Sequence, residues 1–110
     1  MIRALINCAA HLKDKVELQQ VMEDLVTNIE KEDGCLGCEL YQKVKNPNEL
    51  LLVETWESAA NIRSHMTSKN MAVLSGAGKI LCREMYVSIE QDELIEELNT
   101  IFEKRLLRKG

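Results

Sequence analysis

Residues 49–56 read Glu-Leu-Leu-Leu-Val-Glu-Thr-Trp, and this run constrains the fold more than any other part of the chain. In an extended strand successive side chains point to opposite faces. Leu50 and Leu52 therefore share one face, Leu51 and Val53 share the other, and both faces are apolar. Such a strand cannot leave either side in water. A layer of helices can cover one face, so something else must cover the second. The preceding segment, 35–44 (CLGCELYQKV), also reads as a strand, and Lys45-Asn46-Pro47-Asn48 between the two is strong turn chemistry. The two segments are predicted to form an antiparallel hairpin.

The rest of the chain supplies the helices and two more strands. Residues 1–10 predict a strand with Ile2, Ala4, Ile6 and Cys8 on one side and Leu5, Asn7 and Ala9 on the other. Leu18, Val21, Met22, Leu25, Val26 and Ile29 recur at three- and four-residue steps, which predicts a helix over about 15–31. Asp14 is its candidate N-cap, with Glu17 three residues on, and Glu32-Asp33-Gly34 its stop. Ser58 can cap a second helix in which Ile62, His65 and Met66 share a face. After a break near Thr67-Ser68 comes a shorter helical piece with Met71, Leu74 and Ser75 on one side. Gly76 and Gly78 weaken it, and a glycine there also permits close approach to another surface. Residues 81–90 (LCREMYVSIE) read as the last strand.

The resulting fold class is α+β, a ferredoxin-like βαββαβ unit with a four-stranded antiparallel sheet and helices on one face. A second copy of the chain is the simplest cover for the open face. The unit occupies residues 1–90. Residues 91–110 read as a C-terminal helical extension with an apolar stripe of Leu94, Ile95, Leu98, Ile101 and Phe102. Acidic residues at its start and basic ones at its end suit the helix dipole.

Composition narrows the function classes. At 110 residues there is room for one domain. A net charge of −4 argues against nucleic acid as a partner. No apolar run approaches the ~20 residues a membrane-spanning helix needs, and no leader opens the sequence, so the expected location is cytoplasmic. The four cysteines, Cys8, Cys35, Cys38 and Cys82, are then expected as free buried thiols. Cys35 and Cys38 spell C-x-x-C, but in a regular strand they face opposite sides, roughly 10 Å apart at about 3.3 Å per residue. Neither a bridge nor shared metal ligation is expected there. The chain carries no phosphate-binding glycine loop and no nucleophile elbow. No metal and no bound cofactor are expected.

Three segments, taken together and in order, point to a family. They are Gly34-Cys35-Leu36-Gly37-Cys38-Glu39-Leu40-Tyr41-Gln42, Asn46-Pro47-Asn48, and Val53-Glu54-Thr55-Trp56-Glu57-Ser58, with His65 seven residues after Ser58. The combination resembles the antibiotic biosynthesis monooxygenase (ABM) domain family over about residues 1–90. The resemblance implies subunits that pair sheet to sheet into a dimeric α/β barrel, with a pocket between sheet and helices in each. It also implies, for some members, oxygenation of polyphenols or quinols by dioxygen without metal or flavin. Related branches isomerise a phosphorylated sugar-like signal or degrade haem. The haem branch needs a tryptophan on the second helix and a histidine ligand further on, where this chain has His65 and Ser75.

On this resemblance the candidate catalytic residues are His65, Asn7 and Trp56. His65 matches the family's helix histidine and would hydrogen-bond or deprotonate a phenolic hydroxyl, a task suited to an ordinary pKa near 6.5. Trp56 would form a flat pocket wall with an indole N–H donor. Asn7 is the one polar side chain amid the apolar residues of the first strand and would hold an oxygen. Each also has a plain structural use: a core indole, a satisfied half-buried histidine, a hydrogen-bonded strand amide. The expectation is a homodimeric, cofactor-independent monooxygenase acting on a quinol or polyphenolic small molecule. The alternatives are a non-catalytic small-molecule binding module, which a chain with only four aromatic residues favours, and an isomerase of a phosphorylated sugar-like metabolite.

Overall fold

The computed structural model describes residues 1–91 and shows a four-stranded antiparallel sheet under a layer of helices. The elements are β1 (Ile2–Ala10), a 3-10 turn at Leu12–Asp14, α1 (Lys15–Ile29), β2 (Cys35–Gln42), β3 (Glu49–Trp56), α2 (Ala59–Met66), α3 (Lys69–Leu81) and β4 (Cys82–Gln91). The strand order is β2-β3-β1-β4, the split βαβ arrangement that the sequence predicts. The extension over 92–110 lies outside the described residues.

One sheet face and one stripe of each helix make the core. Ala4, Ile6 and Cys8 of β1 and Leu50, Leu52 and Trp56 of β3 are buried against Leu18, Met22, Leu25 and Ile29 of α1. Those α1 residues sit at i, i+4, i+7 and i+11, so a single stripe of one helix supplies four core side chains. Ile62 of α2 and Leu74, Gly78 and Leu81 of α3 complete the layer. At Gly78 the backbone of α3 rides close on β4, where an added Cβ would sit 2.7 Å from Met85 Sδ. This is the close approach expected of a glycine in that segment.

Local chemistry explains where some boundaries differ from the sequence reading. Asp14 stands at the N-cap of α1 but makes no side-chain capping bond, because the 3-10 turn delivers the chain to the helix instead. Neither Gly76 nor Gly78 interrupts α3, which runs through to Leu81, a residue the alternation had placed in the last strand. Packing of Leu74 and Leu81 on the core outweighs the roughly 1 kcal/mol that each helical glycine costs. Ser58 caps α2 as expected, accepting from the Asn61 backbone N–H, and Ser68, read only as part of a break, caps α3 by accepting from that of Met71.

Strand β2 carries a bulge that overturns one sequence argument. Cys35 stands opposite Trp56, Gly37 opposite Thr55 and Cys38 opposite Glu54, so Leu36 is an extra residue in the ladder. The extra residue shifts the alternation, and both Cys35 and Cys38 face the helices rather than opposite sides. All four cysteines are free thiols.

The second sheet face has no helices on it. Its central side chains are Leu5, Leu51 and Val53, flanked by Arg3, Asn7, Thr55, Tyr41 and Tyr86 in the registers Tyr41–Leu51–Asn7–Tyr86 and Glu39–Val53–Leu5–Ser88. Among the described residues nothing packs over it.

The turn from α1 to β2 is tied to the start of α2. Gly34 adopts φ +80°, its carbonyl accepts from Glu57 N–H at 2.8 Å, and Asn61 Nδ2 donates to the Asp33 carbonyl at 3.2 Å. A Cβ at Gly34 would lie 2.2 Å from Asn61 Cγ. Gly34→Ala therefore combines a left-handed backbone penalty with a collision. It is expected to lower stability by about 1–3 kcal/mol in denaturant unfolding, and an unchanged midpoint would show that the turn yields without cost.

Candidate functional site

Alternation along β3 puts Leu50, Leu52, Glu54 and Trp56 on the same, helix-covered face. Glu54 is the only acid in that row, and its relative exposure is 0%. A carboxylate in such a place costs several kcal/mol unless charge and hydrogen bonds compensate it. Two neighbours do so. The Trp56 indole Nε1–H donates to Glu54 Oε1 at 3.0 Å, a bond between residues i and i+2 on one strand face. From α2, His65 brings Nε2 to 2.9 Å from the same oxygen. The ring N–H is not aimed along that line, so this contact is an ion pair rather than an aligned hydrogen bond.

The other histidine nitrogen is held from the α1–β2 turn. His65 Nδ1 lies 3.0 and 2.9 Å from the two carboxylate oxygens of Glu32. Asn70, in the first turn of α3, donates from Nδ2 to Glu32 Oε2 at 2.9 Å. The imidazole also stacks on the indole of Trp56, with ring centroids 4.4 Å apart and planes tilted by 31°. A protonated ring gains further from the indole face. Five side chains from β3, the α1–β2 turn, α2 and α3 thus form one network around His65.

Electrostatics of the network favour the imidazolium. Burial works to lower the His65 pKa, but Glu54 and then Glu32 outweigh it, and the value is raised above the ordinary 6.5. His65 itself is sealed from solvent, whereas the Glu32 side chain keeps 20% of its exposure. Glu32 is therefore the open end of the network and Glu54 its closed end. Two buried atoms of the network lack an aligned hydrogen bond: His65 Nε2, which is ion-paired to Glu54 Oε1, and Glu54 Oε2, which has no partner. The latter is an acceptor awaiting a donor.

The thiols near this site are kept neutral. Burial, and then the charges of Glu54 and its neighbours, push Cys38 up to about 12, and Cys35 is raised for the same reasons. Thiols held protonated are weak nucleophiles. Across the sheet, burial and the neighbouring Cys82 push Cys8 up to about 12 as well. No group of three or more His, Cys, Asp or Glu among the described residues is arranged to hold a metal ion.

The predicted site residues separate into two places. His65 and Trp56 are brought into contact, but Asn7 points to the other, helix-free face, where it lies between Leu51 and Tyr86. Sequence reasoning missed Glu54, Glu32 and Asn70. For Glu54 a signal existed, since an acid on the same face as Leu50, Leu52 and Trp56 must be buried and therefore partnered. No such signal marks Glu32 or Asn70, which reach His65 only through the turn and the α2–α3 break.

The sheet order and the one-sided helix layer define the ferredoxin-like α+β class. Within that class the sequence profile of the antibiotic biosynthesis monooxygenase family matches residues 1–74, and the chain belongs to that family. Solved structures agree on the fold. A conserved protein from Methanosarcina mazei superposes with a TM-score of 0.77 at 20% identity, covering 84% of this chain and 92% of its own. A protein from Deinococcus radiodurans, provisionally named an antibiotic biosynthesis monooxygenase, gives 0.75 at 15% identity, covering 83% and 91%. A Mycobacterium tuberculosis protein gives 0.73 at 21% identity, covering 82% and 92%. No curated protein matches the sequence.

The raised His65 pKa has a consequence for stability. A group whose pKa is higher in the folded state contributes stability fully present below its unfolded value. That contribution is lost as pH rises through the folded value. The stability gap between wild type and His65→Gln should be widest below about pH 6.5 and narrow as pH rises past the folded pKa. Denaturant unfolding of both proteins from pH 5 to 9 reads this, and a gap independent of pH would show that folding leaves the His65 pKa unchanged.

Proposed function

We propose that the protein is an ABM-type monooxygenase acting on a quinol or polyphenolic small molecule, and that the His65–Glu54–Trp56 cluster is its reaction centre. The observation that carries this reading is the buried, unpartnered Oε2 of Glu54 beside the His65 imidazole and the Trp56 indole. A substrate hydroxyl placed there would donate to Oε2. The proton could leave through His65 to Glu32, the member of the network that meets solvent. His65, held protonated, would stabilise the phenolate left behind, and Trp56 would form an apolar wall. The electron-rich anion would then react with dioxygen directly: one oxygen atom enters the ring in place of a hydrogen, the other leaves as water, and the substrate supplies the remaining two electrons and two hydrogens by leaving as a hydroxyquinone. This gives His65 a charge-stabilising part rather than that of a free base, and gives Asn7 no part in the step.

A second reading, favoured by the chain's four aromatic residues, is a module that binds a small aromatic or acidic metabolite without transforming it. Oxygen uptake separates the two. Across a panel of quinols and polyphenols, folded wild type should consume oxygen with no flavin, haem or metal added. His65→Ala should be slower by about 10²–10⁴. Trp56→Phe should raise KM more than it lowers kcat if the indole only shapes the pocket. Equal rates for wild type and folded His65→Ala would remove His65 from the mechanism, and no uptake with any substrate would leave the binding module.

The same reading includes a homodimer joined through the helix-free sheet face, supported by its central Leu5, Leu51 and Val53. Sedimentation at micromolar concentration should give about twice the 12.6 kDa chain mass. Leu51→Asp should shift the protein toward monomer, since a charge in the middle of that face cannot be buried unpaired. A stable wild-type monomer would refute the assembly.

A further inference from the structure

On the outer side of the helix layer, away from the sheet, a groove of about 500 Å³ runs between α1 and α3. Its volume falls within the range of small-molecule sites, about 300–1,000 Å³. The groove is lined by Val21, Asp24, Leu25 and Asn28 of α1 and by Lys69, Asn70 and Val73 of α3. Val21, Leu25 and Val73 make its apolar part. The polar residues stand on opposite walls, an acid and an amide on α1 facing a base and an amide on α3.

These polar groups do not satisfy one another. Asp24 and Lys69 form no ion pair, and the side chains of Asp24, Asn28 and Lys69 have no hydrogen-bond partner among the described residues. Asn70 is different, because its Nδ2 is committed to Glu32 and fixes the side chain, which leaves Oδ1 free to accept. A simple anion would be drawn to Lys69 and repelled by Asp24, and a simple cation the reverse. A molecule carrying both charges meets both walls, with the Asn70 oxygen as a further acceptor for an ammonium.

We propose that the α1–α3 groove is a binding site for a small zwitterion with an apolar body, the chemistry of a neutral α-amino acid. The ammonium lies between Asp24 and Asn70, the carboxylate lies at Lys69, and the apolar side chain lies on Val21, Leu25 and Val73. The site does not depend on the reaction at His65 and would exist in a protein of either proposed function.

Titration of ¹⁵N-labelled protein with L-leucine tests it. The backbone amides of Val21, Leu25 and Val73 and the side-chain amide of Asn70 should shift and saturate. 4-Methylpentanoate, which lacks the ammonium, and 3-methylbutylamine, which lacks the carboxylate, should each bind about three- to tenfold more weakly. Asp24→Asn and Lys69→Met should weaken leucine by a similar factor while the rest of the spectrum stays in place, since both side chains are exposed. Absence of saturable shifts at these residues up to tens of millimolar leucine would overturn the proposal. So would equal binding of either single-charge analogue, or leucine affinity unchanged in both variants.

Discussion

A carboxylate with no access to water must be compensated where it stands, and Glu54 imposes that demand at the centre of this molecule. It sits on β3, the strand paired on both sides, so it cannot move toward solvent without breaking the sheet. Compensation therefore comes to it. The indole of Trp56 turns its N–H back along the strand, and α2 must present His65 at the right depth. The histidine in turn needs a partner for its second nitrogen, which fixes the path of the α1–β2 turn through Glu32. Gly34 in its left-handed conformation allows that path, and the break between α2 and α3 brings Asn70 to close it. The helix layer is thereby registered on the sheet by charge as well as by apolar packing.

The same arrangement gives the site a direction. Its closed end holds one unused acceptor oxygen and its open end a carboxylate in contact with solvent, with an imidazole between them. Groups placed so can move a proton from the interior to the surface without exposing the interior. A histidine with a raised pKa is protonated over more of the pH range, so less of it is free to accept a proton, but the protonated ring stabilises an anion. In the proposed reaction the acceptor role consequently passes to Glu54. This division of labour differs from the one expected when His65 is considered alone, and the reason is the two carboxylates that tertiary structure brings to it.

Asn7 illustrates how a strand distributes its residues between two environments. Its neighbours Ile6 and Cys8 belong to the core, whereas Asn7 joins Leu5 and Arg3 on the bare face. Alternation separated Asn7 from Ile6 and Cys8, but with both faces apolar it did not say which of them the helices would cover. The bulge at Leu36 works in the opposite sense. One extra residue brought Cys35 and Cys38, which a regular strand would separate, onto a common face beside Glu54.

Local patterns in the sequence determined the number and order of the strands and helices up to residue 91, the hairpin at residues 45–48, the serine cap at 58 and the apolar stripe of α1. Each depends on residues within a turn or two of one another, so periodicity and turn chemistry suffice to read it. The pairing of Trp56 with His65 was half legible, because both lie at core-facing positions of elements that had to pack together. Glu32 and Asn70 were not legible, since Glu32 lies 33 residues from His65 and Asn70 lies 38 from Glu32, and these pairs meet only once the layer is assembled. The bulge in β2, the uninterrupted course of α3 through two glycines and the groove between α1 and α3 belong to the same class. In each of them an energetic demand from elsewhere in the fold outweighed the local preference, and only tertiary structure could decide that balance.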